Sequence, residues 1–380
     1  MRLLHLVSSL DPKHGGVVES IRQRSIQLLK NGHVVEVASL DAAESNYLRE
    51  YPFPVHALGK GFSAWQYNRK FKNWLRINCS RFDHIIVEGI WKYHGYAARQ
   101  VARGADVSYS VLTHGMLDPW FKRHYPLKHL KKWLFWPWAE YRVLRDARYV
   151  LFTCEEEMRL AAKSFWLYKA NARVVPFGTT GLPAKFDDLQ RASIKKTQPT
   201  EFLFLGRLHE KKGCDLLLQA FFEVKRKGRE FRLVVAGPGD PEYVDKLKGL
   251  TETLGLGSDT VWPGMVAGEQ KWRLLCEADA FILPSHQENF GVAVVEALSC
   301  GLPVIISDRV NIHAEITRGG GGIVHELSVE AITQSILKWI DLPESEKARY
   351  RESARSTFEA KFSVEAMAAG LVATLSARDG

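Results

Sequence analysis

The sequence has few cysteines and no long apolar run, and these two shortages exclude several classes of protein. The 380 residues include five widely scattered cysteines, and no pair has the spacing of metal ligands. An odd number of unclustered cysteines argues against a disulfide framework and favours a reducing compartment. No apolar run approaches the roughly 20 residues that a membrane-spanning helix needs. Residues 1–7 are mostly apolar, but no small-residue cleavage pattern follows them, so we interpret them as part of a first strand.

The first predicted turn lacks the glycine pattern of nicotinamide enzymes. A strand over residues 2–10 precedes a loop with Gly15 and Gly16, a helix over 17–30 and a second strand over 33–40. This βαβ order favours an α/β fold, but the turn does not have the Gly-x-Gly-x-x-Gly spacing of the dinucleotide fingerprint. The two glycines either let a ligand approach the backbone closely or simply form a tight turn.

The length, composition and charge indicate two domains and an anionic partner. A chain of 380 residues, 46% of them apolar, is long enough for two domains with well-formed cores. The formal net charge of +9 favours a phosphorylated ligand, an anionic membrane surface or nucleic acid. No recognised nucleic-acid motif accompanies this charge, so we predict that the protein does not bind nucleic acid.

Residues 280–306 contain the most informative pattern in the chain. The residue types predict a strand over 280–283, a polar loop, a helix between Gly291 and Gly301, and a further strand over 304–306. The free N–H groups at the start of such a helix attract an anion such as a phosphate. The sequence therefore predicts an anion-binding strand–loop–helix unit.

Two glutamates flank the start of this predicted helix. Glu288 and Glu296 are eight residues apart, which corresponds to roughly 12 Å of helix, too far for the two carboxyl groups to share a proton. One interpretation is that they lie on either side of a phosphate and accept hydrogen bonds from hydroxyl groups, as the ribose and hexose of a nucleotide sugar would require. The alternative is that both are ordinary solvated glutamates.

Glu288, Glu296, Gly301 and Pro303 resemble the signature of the retaining GT-B glycosyltransferases of family 4. These enzymes carry Glu-x7-Glu between a strand and a helix, followed by a small residue, Gly and Pro. The resemblance implies an α/β fold of GT-B architecture, with two Rossmann-like domains facing each other across a cleft. It also implies that Glu288 contacts hydroxyls of the donor sugar, that Glu296 contacts the ribose hydroxyls, and that the reaction retains the anomeric configuration.

A second motif, Gly-Arg-Leu-x-x-x-Lys-Gly at residues 206–213, extends the resemblance. An Arg after a strand and a Lys before a helix can clamp a diphosphate from two sides. In the family they hold the pyrophosphate and stabilise the leaving group, which implies these roles for Arg207 and Lys212. The family also places a glycine turn beside the nucleotide and a backbone segment, here 261–266, against the base. The implied substrate-binding residues are Gly15, Gly16, Gly206, Gly237, Met265, Val266, Asn289, Phe290, Gly291, Val292 and Glu296.

His114 follows a predicted strand over residues 107–112, at the end of a strand where α/β sheets bind ligands. A lone histidine in this place also has structural uses. Residues 114–120 resemble the His-Gly-Met-Leu-x-Pro-Trp variant of a subset of family 4 enzymes of the exopolysaccharide type, in which the His reaches a hydroxyl of the donor sugar. Phe177 departs from the family pattern, which has Asn there. The implied catalytic residues are Arg207, Lys212, Glu288 and His114.

Residues 121–148 are unusually basic and aromatic. Eight Lys and Arg side chains accompany only two acidic ones, Glu140 and Asp146, with aromatic residues interleaved. One interpretation is a long helix, kinked at Pro126 and Pro137, that packs its aromatic side chains into the first domain. The other is a basic amphipathic surface that contacts an anionic membrane and helps to dock a lipid-linked acceptor.

These resemblances cover most of the chain and predict its organisation. We expect an N-terminal acceptor-side domain, a linker, a C-terminal nucleotide-sugar-binding domain and a final helix that crosses back to the first domain. The corresponding ranges are 1–180, 181–199, 200–360 and 361–380.

The predicted function is transfer of a hexose from a nucleotide diphosphate sugar to a saccharide or polyprenyl-diphosphate-linked acceptor in polysaccharide synthesis. UDP-glucose is the favoured donor and GDP-mannose the next. The alternatives are a non-transferring GT-B enzyme, such as a nucleotide-sugar epimerase, and a non-catalytic nucleotide-binding protein. Asp-x-Asp occurs nowhere, so we predict a metal-independent reaction without a cofactor. We expect a cytoplasmic protein with peripheral contact to the inner face of the plasma membrane.

Overall fold

The computed structural model describes residues 1–120, 122, 126–186 and 199–377, which form two α/β units. One unit comprises Met1–Gly178 and Val364–Gly380, and the other comprises Thr179–Ser363. Residues 187–198 of the predicted linker lie outside the described residues, as do Phe121 and Arg123 of the basic segment. Each unit contains one parallel sheet accompanied by helices, which confirms the predicted α/β class with two Rossmann-like domains.

The sheet of the first unit has seven parallel strands in the order β3-β2-β1-β4-β5-β6-β7. Strand β1 lies between β2 and β4, with Leu3 opposite both Val35 and His84. Successive residues of β1 enter different cores, since Leu3 and Leu4 belong to separate buried clusters. Helices therefore cover both faces of the sheet, as is usual for parallel sheets. The strands are β1 (Arg2–Val7), β2 (Val34–Ser39), β3 (Val55–Ala57), β4 (His84–Glu88), β5 (Ser108–Leu112), β6 (Tyr149–Phe152) and β7 (Ala172–Val174).

Asn68 and Cys154 each cap the start of a helix in the first unit with a side chain. The side chain of Asn68, for example, accepts a hydrogen bond from the backbone N–H of Phe71, at 2.9 Å, at the start of the second helix. The last helix of the chain also packs in this unit and buries Leu371 and Leu375 against the cluster that contains Leu3. The helices are α1 (Gly16–Lys30), α2 (Arg69–Asn78), α3 (Tyr93–Ala102), α4 (Pro126–Phe135), α5 (Glu140–Asp146), α6 (Glu155–Ala161) and, at the end of the chain, α14 (Val364–Ser376).

The basic segment does not form the single long helix that one interpretation predicted. It contains the two helices α4 and α5, because Pro137 has no N–H to donate and its ring is incompatible with a continuous helix. Trp136 lies between them and is fully buried, with its ring stacked on Phe165 at 4.1 Å and its Nε1–H donated to the carbonyl of Leu167 at 2.6 Å. Core packing is therefore correct for Trp136, whereas Trp138 remains 45% exposed.

The sheet of the second unit has six parallel strands in the order β10-β9-β8-β11-β12-β13. The sequence prediction for 280–306 is confirmed, with a strand, a helix after Gly291 and a second strand. The strands are β8 (Thr200–Leu205), β9 (Phe231–Ala236), β10 (Thr260–Gly264), β11 (Ala280–Leu283), β12 (Val304–Ser307) and β13 (Gly322–His325). The helices are α7 (Cys214–Arg226), α8 (Pro241–Thr253), α9 (Gly268–Glu277), α10 (Val292–Ser299), α11 (His313–Gly319), α12 (Val329–Asp341) and α13 (Glu344–Thr357).

Candidate active site

The second sheet reverses its strand order between β8 and β11. From β8 the chain adds strands β9 and β10 on one side, and from β11 it adds β12 and β13 on the other. Ligands of open α/β sheets bind outside the carboxyl ends of the strands at such a switch point. The loop 206–213 follows β8 and the loop 284–291 follows β11, so both predicted signatures lie at this position. The structure thus places Arg207, Lys212 and Glu288 at the edge of the sheet that a ligand would use.

The two loops are held together by their backbones. The N–H of His286 donates to the carbonyl of Lys211 at 2.7 Å. Gly213 has a φ of +65°, and a Cβ at this position would lie 2.2 Å from the carbonyl oxygen of Pro284. Only glycine accepts both this conformation and this approach. The glycine that ends the second signature therefore lets its loop pack against the loop of the first.

Lys212 and Glu288 form an ion pair, and each side chain keeps about a fifth of its surface exposed. The backbone of Glu288 is fixed as well: its N–H donates to the carbonyl of Arg309 at 3.1 Å, and its carbonyl accepts from the N–H of Asn311 at 3.0 Å. The structure therefore brings together two of the four predicted catalytic side chains. An ammonium group and a carboxylate in contact can bind a phosphate and a hydroxyl group side by side.

Helix α10 starts at the predicted anion position. Gly291 adopts the left-handed conformation, with a φ of +74°, and no side chain caps the first turn. Val292 is 41% exposed at that turn, whereas Phe290 is buried and its ring lies 5.8 Å from that of Phe362. The side chain of Asn289 is occupied within the unit, because its Oδ1 accepts from Asn311 Nδ2 at 3.2 Å. The backbone N–H groups of the turn are thus the predicted anion donors.

Glu296 has a partner that the sequence patterns did not indicate. Lys271 on α9 places its Nζ 2.7 Å from Glu296 Oε1. Both side chains are mostly buried, with 24% and 17% of their surfaces exposed. A charge-assisted contact of this kind fixes the direction of a carboxylate. No motif singled out Lys271, because the contact joins residues 25 positions apart on two different helices.

The glycine turns after β8 and β9 approach each other closely. A Cβ at Gly237 would lie 1.9 Å from the carbonyl oxygen of Gly206, whose own N–H donates to Ala236 at 3.0 Å. Beside these turns is a cavity of about 650 Å³, a size typical of small-molecule sites. Its lining residues are Arg207, Leu208, His209, Glu210, Pro238, Gly239, Asp240 and Tyr243.

Met265 and Val266 follow β10 at the same edge of the sheet, and Met265 is 73% exposed. Neither lines the cavity. In the first unit, Gly15 and Gly16 follow β1, and a Cβ at either would meet nothing within 4 Å. These two glycines therefore leave open space beside the backbone, which agrees with ligand approach and with a simple turn alike.

His114 lies after β5 in the first unit and contacts a buried carboxylate. Its Nε2 is 2.7 Å from Glu88 Oε2, while His5 Nδ1 is 2.7 Å from Glu88 Oε1 and the guanidinium of Arg24 pairs with the same oxygen. Burial alone would raise the pKa of Glu88, but the charge of Arg24 and the hydrogen bonds from both histidines hold it well below its usual range. Glu88 is therefore an ionised carboxylate inside the core. No sequence motif indicated this role for Glu88.

Within the described ranges, no group of three or more His, Cys, Asp or Glu side chains is arranged to hold a metal ion. Over the same ranges, no helix is both long enough and apolar enough to cross a membrane.

Two family models match consecutive parts of the chain. Residues 15–178 match the glycosyl transferase 4-like domain, and residues 185–357 match the glycosyl transferases group 1. The chain joins a glycosyl transferase 4-like domain to a group 1 glycosyl transferase domain. Both signatures at Arg207–Lys212 and Glu288–Glu296 lie in the group 1 domain, and His114 lies in the 4-like domain. The finer assignment of the chain to the His-Gly-Met-Leu subset stays a prediction.

Curated relatives match about half of the chain. WcaL of Escherichia coli strain K12, a putative colanic acid biosynthesis glycosyltransferase, is 28% identical over 186 residues, which are 47% of this chain and 45% of the relative. A GDP-mannose-dependent alpha-(1-6)-phosphatidylinositol dimannoside mannosyltransferase of Mycobacterium tuberculosis is 30% identical over 182 residues, with the same two shares. The match thus spans less than half the length of each of these relatives.

A solved structure resembles the chain over nearly its whole length. HepE of Anabaena, crystallised in complex with UDP, gives a TM-score of 0.75 at 17% identity and covers 99% of this chain and 100% of its own. At this level of identity the likeness shows the fold alone. The fold is that of the GT-B glycosyltransferases, as the sequence predicted.

Proposed function

We propose that the protein is a retaining hexosyltransferase that takes its sugar from a nucleotide diphosphate sugar. The observation that carries this proposal is the arrangement at the switch point of the second sheet. Arg207 lines a cavity of about 650 Å³, Lys212 is paired with Glu288, and the uncapped start of α10 lies in the loop that packs on the Lys212 loop. Cationic groups and free N–H groups on one sheet edge suit a diphosphate and its flanking hydroxyl groups.

The proposed chemistry is stabilisation of the leaving group. When the bond between the sugar and the β-phosphate breaks, negative charge grows on that phosphate. Arg207, Lys212 and the N–H groups at Gly291 supply positive charge and hydrogen-bond donors to meet it. The reaction is proposed to need no metal ion, since these groups supply the compensation that a metal would otherwise provide.

The two glutamates are proposed to recognise hydroxyl groups rather than to attack the sugar. Glu288 accepts a hydrogen bond from the hexose and Glu296 from the ribose, and each carboxylate is oriented by a lysine in contact with it. Attack then comes from the acceptor hydroxyl on the face from which the phosphate leaves, which retains the anomeric configuration.

UDP-glucose is the proposed donor. This choice rests on the His-Gly-Met-Leu resemblance around His114, and HepE, which shares the fold, has been solved with UDP-glucose. GDP-mannose is the alternative, because the mycobacterial relative is named as GDP-mannose-dependent. A saccharide or polyprenyl-diphosphate-linked acceptor is proposed, and the name of WcaL, which refers to colanic acid biosynthesis, supports a polysaccharide pathway.

A peripheral contact with an anionic membrane is proposed for helix α4. Leu127, Leu130 and Leu134 are 78%, 55% and 63% exposed at the spacing of one helix face, and Lys128 and Lys131 are exposed beside them. An exposed apolar face with adjacent lysines is typical of helices that lie in the membrane interface. We expect Lys128→Glu with Lys131→Glu to weaken binding to phosphatidylserine vesicles about 30-fold or more, given roughly 1 kcal/mol per lysine. Lys246→Glu with Lys248→Glu, exposed on α8, is the matched control, and equal binding by both pairs would exclude this surface.

Slow hydrolysis of the donor tests the reaction class without knowledge of the acceptor. UDP-α-glucose is incubated with the protein in EDTA, and the first glucose released is observed by proton NMR before its anomers equilibrate. We expect α-glucose, and Arg207→Met should slow its release at least about 100-fold, the usual effect of removing one group that stabilises transition-state charge. Initial β-glucose would contradict retention, and release that needs added metal would contradict the metal-free proposal. Isomerised UDP-sugar in place of free glucose would favour an epimerase.

A further inference from the structure

Glu88 is a buried charge at the switch point of the first sheet. It ends β4, which lies next to β1 at the position where the strand order reverses. Its side chain is fully buried, and its two oxygens contact three side chains from three different elements: His5 of β1, Arg24 of α1 and His114 after β5. An ionised carboxylate is costly to bury unless it is paired. Glu88 lies at the edge of the sheet where α/β proteins bind ligands, and this position indicates a function in ligand binding.

The ionised state of Glu88 decides which nitrogens of the two histidines carry hydrogen. A carboxylate without a proton accepts hydrogen bonds and cannot donate one. His5 must therefore donate Nδ1–H to Oε1, and His114 must donate Nε2–H to Oε2. In neutral His114 the remaining nitrogen, Nδ1, has no hydrogen and accepts hydrogen bonds. A ligand that binds the neutral ring at Nδ1 therefore meets a hydrogen-bond acceptor.

The backbone around His114 is held in a conformation that side chains rarely adopt. His114 has a φ of +49° and Gly115 a φ of +74°. Glu157 stabilises the same turn, because its Oε1 accepts hydrogen bonds from the N–H of Gly115 at 2.6 Å and from the hydroxyl of Thr113 at 2.8 Å. Strain of this kind costs on the order of 1–3 kcal/mol and persists where the surroundings impose it, most often at functional sites.

We propose that Glu88 is a positioning residue for His114, which fixes Nε2–H inward so that Nδ1 accepts a hydrogen bond from a hydroxyl of the donor sugar. The sugar hydroxyl rests on the proposed function, whereas the fixed tautomer rests on the contacts of Glu88 alone. The two parts can therefore be tested separately. Glu88 acts through His114 and does not itself contact the sugar.

The Glu88→Gln variant should reverse the hydrogen-bonding sense of His114. Arg24 and His5 both donate to Oε1, so the carbonyl oxygen of the glutamine will take that side. The amide NH₂ then faces His114 Nε2, which must become an acceptor, and the ring hydrogen moves to Nδ1. A packing role for Glu88 would predict no such reversal, because glutamine has nearly the same shape.

The first measurement is nitrogen NMR of protein with ¹⁵N-labelled histidine, in which the signals of His114 are assigned by their loss in His114→Gln. We expect the Nε2–H form in the parent and in the control His5→Asn, which alters the same cluster but leaves Oε2 untouched. Glu88→Gln should show the Nδ1–H form. Arg24→Met with Glu88→Gln removes both buried charges and keeps His5 as the orienting donor, so it repeats the test if the single variant does not fold. An unchanged Nε2–H form in both variants would overturn the proposal.

The second measurement identifies the ligand group. Affinities are measured for UDP, UDP-glucose and UDP-glucose analogues in which one hydroxyl is replaced by fluorine, which cannot donate a hydrogen bond. In the parent, one analogue should bind about three- to tenfold more weakly than UDP-glucose, and this loss should disappear in Glu88→Gln, whereas the analogue without the hydroxyl proposed to donate to Glu288 should show the same loss in both proteins. UDP affinity should stay the same in both proteins. If no analogue binds more weakly in the parent, or if every analogue that does so shows the same loss in Glu88→Gln, the role toward the donor sugar is overturned. Failure of the parent to bind UDP would count against the proposed function instead.

Discussion

The close contact between the glycine turns at Gly206 and Gly237 predicts that Gly237→Ala will destabilise the second unit. The new Cβ would lie 1.9 Å from the carbonyl oxygen of Gly206, and since ordinary Cβ contacts begin at 3.4 Å, one turn must move by about 1.5 Å. Overpacking costs about 1–3 kcal/mol, and a side chain at the φ of +140° adds strain of about 1–3 kcal/mol. We therefore expect the free energy of unfolding to fall by roughly 2–6 kcal/mol.

The same movement should weaken nucleotide binding, because Arg207 directly follows Gly206 and lines the cavity. Loss of one hydrogen bond to a charged group is worth about 1.5–3 kcal/mol, so UDP should bind at least about tenfold more weakly. The assays are urea unfolding and calorimetric titration of UDP. Gly249→Ala is the control, since it lies in α8 with nothing within 4 Å of the new Cβ and should be neutral or stabilising by up to about 1 kcal/mol. If Gly237→Ala unfolds at the parent's urea concentration and binds UDP as tightly, the reasoning about this contact is wrong.

Three further predictions concern single side chains. Lys271→Met should weaken UDP binding about tenfold, because Glu296 loses the ammonium group 2.7 Å away, and calorimetry should show no change for the exposed control Lys246→Met. Burial lowers the pKa of His84 and of His94 to about 4, whereas a histidine of the unfolded chain has a pKa of 6.5. As the pH falls, the unfolded chain therefore binds protons at these histidines before the folded protein does. Stability should consequently fall as the pH drops from 6.5 to 4, by roughly 3 kcal/mol for each histidine, in urea unfolding at a series of pH values. Burial raises the pKa of Glu140 to about 8, so its contribution is complete below pH 4.5 and is lost as the pH rises through 8. Glu140→Gln should therefore stabilise the protein at pH 9 but not at pH 5, and equal effects at both would show that Glu140 does not titrate there.

Local patterns in the sequence predicted the second unit well. Gly291 and Gly301 lie just before and just after α10 as expected, because the conformation of a helix end depends on a few adjacent residues. The placement of Arg207 and Glu288 on one sheet edge followed from their positions after strands. In the first unit, by contrast, Pro137 divides the basic segment into two helices, whereas one of the two interpretations predicted a single kinked helix.

Contacts between distant residues could not be predicted in this way. Glu88 meets Arg24 and His5 across 64 and 83 positions, and no periodicity indicates which buried side chains converge on one carboxylate. The pairing of Lys271 with Glu296 depends on how α9 packs against α10, which is a tertiary property. Hydrophobic patterns specify which face of an element is buried, whereas polar partners depend on the register and packing of neighbouring elements.

Calorimetric titration of UDP, GDP and ADP in EDTA, on the parent protein and on Glu296→Ala, tests the central claim most directly. We expect metal-free binding of UDP in preference to the other two, weakened at least about tenfold by the substitution, which removes the proposed acceptor of the ribose hydroxyls. Preference for GDP would support the proposed nucleotide site but would favour GDP-mannose over UDP-glucose as the donor. No binding of any of the three nucleotides to the parent protein, or binding that Glu296→Ala leaves unchanged, would contradict the nucleotide-sugar site proposed at the switch point of the second sheet.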